Sequence, residues 1–198
     1  MDIKFIYNDT FTNNFYYYCF VIAFSVFVLS EIFIYWKSRK NSIGKYKGDR
    51  GSLYLIVFGV WFIISMNFYW TIINKLLPEY VELVGIFMIL VGIFIRNYSV
   101  HLLSKGFTLS VYVGKNQKVI KRGFYKYIRH PAYLGGIISI IGITVTFRNI
   151  FNIFFSILVL IIIYGYRIKV EEEALVRNLG KEYIKYKDET KIIFPKIL

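Results

Sequence analysis

The residues best placed to do chemistry lie between Lys118 and Gly135, and within that run the order Arg129-His130-Pro131-Ala132-Tyr133-Leu134-Gly135 stands out. His130 is one of only two histidines. It sits beside an arginine and directly before a proline that can open a helix at its first turn. Free N–H groups at a helix start attract anions, carboxylates included. A small ligand with a carboxylate and a planar ring could therefore use Arg129, the helix start and the neighbouring tyrosines together. The same run also reads as a basic anchor on anionic headgroups, with tyrosines at the interface. The residues alone leave both readings open.

A second group is Arg167-Ile168-Lys169-Val170-Glu171-Glu172-Glu173. Arg167 and Glu171 are four apart and share a helix face, as do Lys169 and Glu173. Ordinary surface pairing of this kind is worth about 0.2–0.5 kcal/mol, less with the cation N-terminal as here. Arg167 lies where an apolar stretch ends, and a charge there is expensive without a partner. A third candidate is Arg96, inside an apolar stretch. Such an arginine faces a cavity or a partner, or snorkels to the interface. His101 reads as interfacial. There is no Walker A loop, GxGxxG, HExxH or GxSxG. The single cysteine, Cys19, rules out an internal disulfide or a cysteine cluster, and no metal is expected.

The elements that must position these residues are apolar helices. Hydrophobic residues make up 57% of the 198, with 20% aromatic, against about 45–50% apolar in soluble domains. Stretches long enough for a bilayer helix, about 20 residues, run from about Tyr16 to Trp36, Leu53 to Ile73 and Tyr80 to about Leu103. Two shorter ones, Tyr133 to Phe147 and Ile150 to Tyr166, are joined by Phe147-Arg148-Asn149 and predict a tight hairpin. The expected fold is thus an all-α integral membrane protein of about five transmembrane helices, with a C-terminal helical hairpin. Beyond Arg167 the pattern turns polar but stays helix-compatible, so a cytosolic C-terminal helix follows, with Gly180 as a break. Residues 1–95 form an N-terminal transmembrane region, and 96–198 hold the candidate chemistry.

The net charge of +13 lies mainly in three segments, 37–51, 104–130 and the tail from Arg167. Basic residues in loops between spans signal topology rather than a nucleic-acid partner. An odd number of spans puts all three segments on one side, the cytosol, with the N-terminus outside. Residues 1–15 lack a positive n-region and a small-residue cleavage site, so no secretory leader is expected. Gly85 and Gly92 do not make a GxxxG spacing, and nothing marks a dimer face.

The run from Arg129 to Gly135 resembles the RHPxYxG signature of isoprenylcysteine carboxyl methyltransferases, to which phospholipid N-methyltransferases are related. Glu171-Glu172, Leu175, Leu179-Gly180, Tyr183 and Tyr186 resemble that family's EExxLxxxFGxxYxxY pattern, with Leu179 in place of the usual Phe. Upstream, Arg96 and Phe107-Thr108 are similar to its LR…FT stretch. Gln117 to Gly123 is similar to its (G)HxLVxxG approach, with Gln117 where His is common and Ile120 for Val. Gly123-Phe124-Tyr125 stands where the family has GPY. The resemblance covers residues 96–198.

That resemblance implies S-adenosyl-L-methionine as cofactor, bound between the loop before the fourth span and the C-terminal helix. It implies contacts from Gln117, Lys118, Val119, Ile120, Tyr125, His130, Pro131, Ala132, Tyr133 and Glu171. It also implies that Arg167 holds the methyl acceptor, with Arg96 as a second contributor and Glu171 in the catalytic group. The acceptor would be lipid-like or amphipathic and the reaction carboxyl O-methylation. A carboxylate is already a nucleophile at neutral pH, so a site with Arg and Glu but no triad suffices. Paired arginine N–H groups orient it, and the reaction needs it in line at about 3–3.5 Å. The alternatives are a phosphatidylethanolamine N-methyltransferase, a membrane reductase and a non-enzymatic membrane module.

Overall fold

The computed structural model describes residues 14–41, 49–71, 77–109 and 119–193. Among the described residues six α-helices run in order: α1 Asn14–Asn41, α2 Ser52–Thr71, α3 Tyr80–Leu103, α4 Pro131–Thr146, α5 Ile150–Leu179 and α6 Lys181–Glu189. Two short 3₁₀ turns, Ser104–Gly106 and Gly123–Lys126, lie between α3 and α4. Among the described residues there is no strand, only one isolated parallel bridge between Ile128 and Lys191.

Large apolar side chains face outward along these helices. Leu29 and Phe33 on α1, Phe58 and Trp61 on α2, Phe87 and Phe94 on α3, and Phe154 and Ile161 on α5 are all exposed. A monomer in water rarely shows so much contiguous apolar surface; in lipid it is the expected exterior. α1, α3 and α5 are long and apolar enough to cross a bilayer, while the apolar stretches of α2 and α4 are shorter. The protein is an integral membrane protein with an all-helical fold. Among the described residues, three of the about five spans expected from sequence thus have full spanning length.

α4 is the centre of the bundle. Pro131 opens it, and Ala132, Gly135, Gly136, Ser139, Ile140, Gly142 and Ile143 are all buried. Its main partner is α3, and glycines set how close the two come. A Cβ on Gly92 would lie 2.6 Å from the Gly135 carbonyl oxygen, and one on Gly85 would lie 2.7 Å from that of Gly142. The reciprocal approaches are equally close. Small residues let membrane helices pack backbone to backbone, so Gly85 and Gly92 serve an internal seam.

The expected hairpin of α4 and α5 turns at Phe147-Arg148-Asn149. Arg148 takes a positive φ of 55°, and the Asn149 side chain caps α5 by accepting from the N–H groups of Phe151 and Asn152. The buried Arg148 Nε lies 3.1 Å from the buried Glu82 carboxylate at the start of α3. α5 then runs on to Leu179, and Gly180, with φ of 54°, separates it from α6. Left-handed backbone after a helix is where glycine is favoured.

α1 leans mainly on α3, and α2 mainly on α5. The boundary read at 95/96 falls inside α3, and both halves share one core. Phe20, Ala23 and Phe27 of α1 and Ile63 of α2 join Ile86, Ile89, Ile140, Ile143, Leu160 and Ile163.

Candidate functional site

The loop before α4 is held by the C-terminal segment. The Arg129 and His130 N–H groups donate to the carbonyls of Lys191 (2.8 Å) and Ile192 (3.0 Å), and Lys191 N–H donates to Tyr127 O (3.2 Å). From α6, the Tyr186 hydroxyl donates to Tyr125 O at 2.7 Å. Arg129 Nε donates to Glu172 at 2.7 Å, and Arg129 Nη1 donates to the carbonyls of Lys187 (3.0 Å) and Thr190. Glu172 also pairs with Lys187 at 2.8 Å and with His130 Nε2 at 3.3 Å. The two adjacent glutamates thus divide. Glu172 clamps loop, α5 and α6 together, while Glu171 turns into a cavity.

That cavity has an empty volume of about 1110 Å³, its mouth included, and every helix except α1 contributes to its wall. Val119, Ile120, Tyr125, His130, Ala132, Tyr133, Glu171, Arg96 and Arg167 all line it. These are nine of the sequence-derived candidates, gathered from four separate stretches of chain. Pro131 is buried at the helix start and is not part of the wall. Gln117 and Lys118 lie outside the described residues.

Charges are linked across the cavity. The Tyr133 hydroxyl donates to Glu171 and accepts from Arg167 Nε at 2.9 Å. His130 stacks on the Tyr133 ring, with centroids 5.3 Å apart and planes 5° from parallel, and its Nδ1 lies 3.8 Å from Glu171. Arg167 itself is 2% exposed. Its Nη1 donates to Asp49 and, at 2.7 Å, to the Ser52 hydroxyl, and its Nη2 donates to Leu109 O. Four of its five N–H groups therefore already have protein acceptors. A two-point grip on a further carboxylate requires one of those acceptors to move.

Arg96 is similarly engaged. Its fork meets the Glu31 carboxylate of α1, Nη2 to Oε2 at 2.8 Å and Nε to Oε1, while Nη1 donates to Ala132 O at 3.1 Å. It neither snorkels nor stands open to a ligand; it pins α1 to α3 and to the start of α4. The remaining wall is mostly apolar and aromatic, with Leu53 and Ile56 from α2 at one end and Leu175, Leu179, Tyr183 and Tyr186 at the other. Burial pushes the Tyr125, Tyr183 and Tyr186 phenols above the ordinary tyrosine range, so they remain neutral. The buried Tyr183 hydroxyl has no hydrogen-bond partner among the described residues. An orphaned buried hydroxyl costs about 1–3 kcal/mol, which a polar ligand in the cavity would recover.

Sequence reasoning missed Glu31, Asp49, Ser52 and the Leu109 carbonyl. Asp49 left one signal: it is the only acid among the basic residues of 37–51. Glu31 left another, as the lone charge between Tyr16 and Trp36.

The cavity of this all-helical membrane protein joins a loop of the pattern RHPxYxG to a helix that carries Glu171-Glu172. The sequence model described as the isoprenylcysteine carboxyl methyltransferase (ICMT) family matches residues 83–177. A protein-S-isoprenylcysteine O-methyltransferase of Saccharomyces cerevisiae is 30% identical over 113 residues, which is 56% of this chain and 47% of the yeast protein. A probable protein-S-isoprenylcysteine O-methyltransferase of Oryza sativa subsp. japonica is 33% identical over 114 residues, 56% of this chain and 60% of the rice protein. Protein-S-isoprenylcysteine O-methyltransferase B of Arabidopsis thaliana is 27% identical over 104 residues, 52% and 53% of the two chains. The chain spans about half the length of the curated relatives it matches.

Proposed function

We propose that this protein is an integral membrane methyltransferase that uses S-adenosyl-L-methionine to methylate the carboxylate of a lipid-like or amphipathic acceptor. The relatives' names suggest a prenylated cysteine. The carrying observation is the chain Arg167–Tyr133–Glu171, with His130 stacked on it, in the wall of one cavity.

The residues fit the cofactor. Tyr125, Ile120, Leu175, Leu179 and Tyr186 provide apolar and aromatic walls for a purine, and the orphaned Tyr183 hydroxyl offers a polar contact. Glu171 supplies negative charge for a cationic group, and its hydrogen bond from Tyr133 fixes its direction. Val119, Ala132 and His130 complete this side, with Gln117, Lys118 and Pro131 as further contributors next to it in sequence. When bound, the cofactor supplies an electrophilic methyl on a sulfonium. The new bond is O–CH₃, the S–CH₃ pair stays on sulfur, and no proton moves, so no general base is required. Arg167 neutralises and orients the acceptor carboxylate, and Arg96, forked on Glu31 and bonded to the Ala132 carbonyl, positions the start of α4 beside it. The cavity's mostly apolar walls limit competing water. By the positive-inside rule, the cavity mouth and C-terminus face the cytosol and the N-terminus faces outward. Residues 96–198 carry most of the cofactor site, and α2 from residues 1–95 completes the acceptor end.

An amine acceptor, as in phosphatidylethanolamine, is the second reading, favoured by the Glu171 carboxylate in the wall. The test is calorimetry with S-adenosyl-L-methionine on detergent-purified protein, beside His130→Ala and Glu171→Ala, followed by methyl transfer to a prenylcysteine analogue and to phosphatidylethanolamine. Saturable binding that both variants weaken, with transfer to the prenylcysteine analogue alone, is expected. No binding to the folded wild type would remove the methyltransferase reading.

A further inference from the structure

Asp49 lies outside the segment shared with the methyltransferase family, yet it reaches the centre of the site. Its Oδ1 receives Arg167 Nη1 and the Ser52 hydroxyl (3.2 Å), and its Oδ2 receives the Leu53 N–H at 2.9 Å. The Asp49 carboxylate therefore belongs both to the start of α2 and to Arg167. Its side chain is 13% exposed and that of Arg167 is 2% exposed, so the pair is shielded from water and unscreened.

Resting on the reading that this site methylates a carboxylate, we propose that Asp49 stands in for the acceptor's carboxylate. It fills the Arg167 fork until the acceptor displaces it, and so sets the affinity for the acceptor. Three observations carry this. First, the buried guanidinium has four of its five N–H groups taken, so a second carboxylate gains a paired grip only by exchange. Second, exchange is inexpensive for Asp49. Once released from Arg167 it keeps the Leu53 N–H, the Ser52 hydroxyl and the favourable field of a helix start. Third, Leu53 and Ile56, one turn apart on α2 just beyond Asp49, line the same cavity. An acceptor with its carboxylate on Arg167 would lay its apolar part along that wall. Without Asp49 the buried guanidinium would keep only the indirect charge of Glu171, reached through Tyr133, and a weakly compensated buried charge is costly; Asp49 covers it while the site waits.

The experiment compares wild type with Asp49→Asn and Asp49→Ser. Both replacements are good helix caps and both remove the charge. A neutral oxygen lacks the ion-pair attraction and the bidentate fit of a carboxylate, so it holds the guanidinium less tightly. Initial rates of methyl transfer from S-adenosyl-L-methionine to N-acetyl-S-farnesylcysteine give KM and kcat, and calorimetric cofactor binding reports folding. The expected result is a KM about five- to tenfold lower in both variants, with kcat within about threefold of wild type. A farnesyl analogue that lacks the carboxylate altogether should inhibit wild type and variants equally, because it takes no part in the exchange at Arg167. An unchanged or raised acceptor KM in variants that bind the cofactor normally overturns the assignment. So does loss of cofactor binding in both variants, which would make Asp49 a folding residue. If wild type binds the cofactor but methylates no carboxylate acceptor, the reaction reading fails first and the placeholder with it.

Discussion

The Tyr133 hydroxyl accepts a hydrogen bond from Arg167 Nε at 2.9 Å and donates another to Glu171. One phenol thus stands between an arginine and a glutamate that share a helix, and it sets the direction of both. Hydrogen bonds to charged groups are worth about 1.5–3 kcal/mol each.

Tyr133→Phe keeps the ring that stacks on His130 and removes both bonds. Turnover should fall about ten- to a hundredfold while cofactor affinity changes less, a split read from kcat against the calorimetric Kd. Equal losses in both would mean that Tyr133 serves the cofactor pocket alone.

The adjacent glutamates should separate cleanly. Glu172→Gln removes the counter-charge from Arg129 and Lys187. Breaking a buried pair from one side costs about 3–5 kcal/mol; with Lys187 partly exposed, the lower end applies. A marked drop in the thermal midpoint and faster proteolysis within α6 are expected. Glu171→Gln should leave the midpoint within a few degrees and abolish most activity.

Arg96 and Glu31 test positioning against catalysis. Either single replacement, Arg96→Met or Glu31→Leu, leaves one charge of a forked pair without its partner inside the bundle, and each should lower stability by about 3 kcal/mol. The double variant should recover much of that loss and part of the activity. A stable double variant with no activity would place Arg96 on the acceptor itself.

The α3–α4 seam makes the fourth test. Gly92→Ala sets a Cβ 2.6 Å from the Gly135 carbonyl. Overpacking of this kind costs about 1–3 kcal/mol, and a rigid backbone neighbour puts it at the upper end. Gly165→Ala, whose Cβ would meet nothing within 4 Å, is the matched control and should be neutral or slightly stabilising.

Much of this was legible before any coordinates, because hydropathy and chemistry each leave local marks. Apolar runs gave the helices, Phe147-Arg148-Asn149 gave the hairpin turn, and Gly180 gave the break after α5. The residues around His130 and Glu171 stand out as candidates in the sequence because each of the two motifs is contiguous. The partners of the arginines were not legible. Glu31 lies 65 residues from Arg96 and Asp49 lies 118 from Arg167, and pairing at that range depends on which helices become neighbours. The split between Glu171 and Glu172 was also hidden, since adjacent helix positions differ by about 100° of rotation and only the packed bundle decides which one faces the cavity.

The glycine seam has a mechanical consequence. Backbones in contact at Gly85–Gly142 and Gly92–Gly135 leave no compressible side-chain layer between α3 and α4, so those helices form a stiff keel. The rest of the wall comes from α2, α5 and α6, and α2 is tied to α5 through the Asp49–Arg167 contact. The cavity is thus built against one wall of fixed spacing, and its volume is set by how the other three helices lean on it.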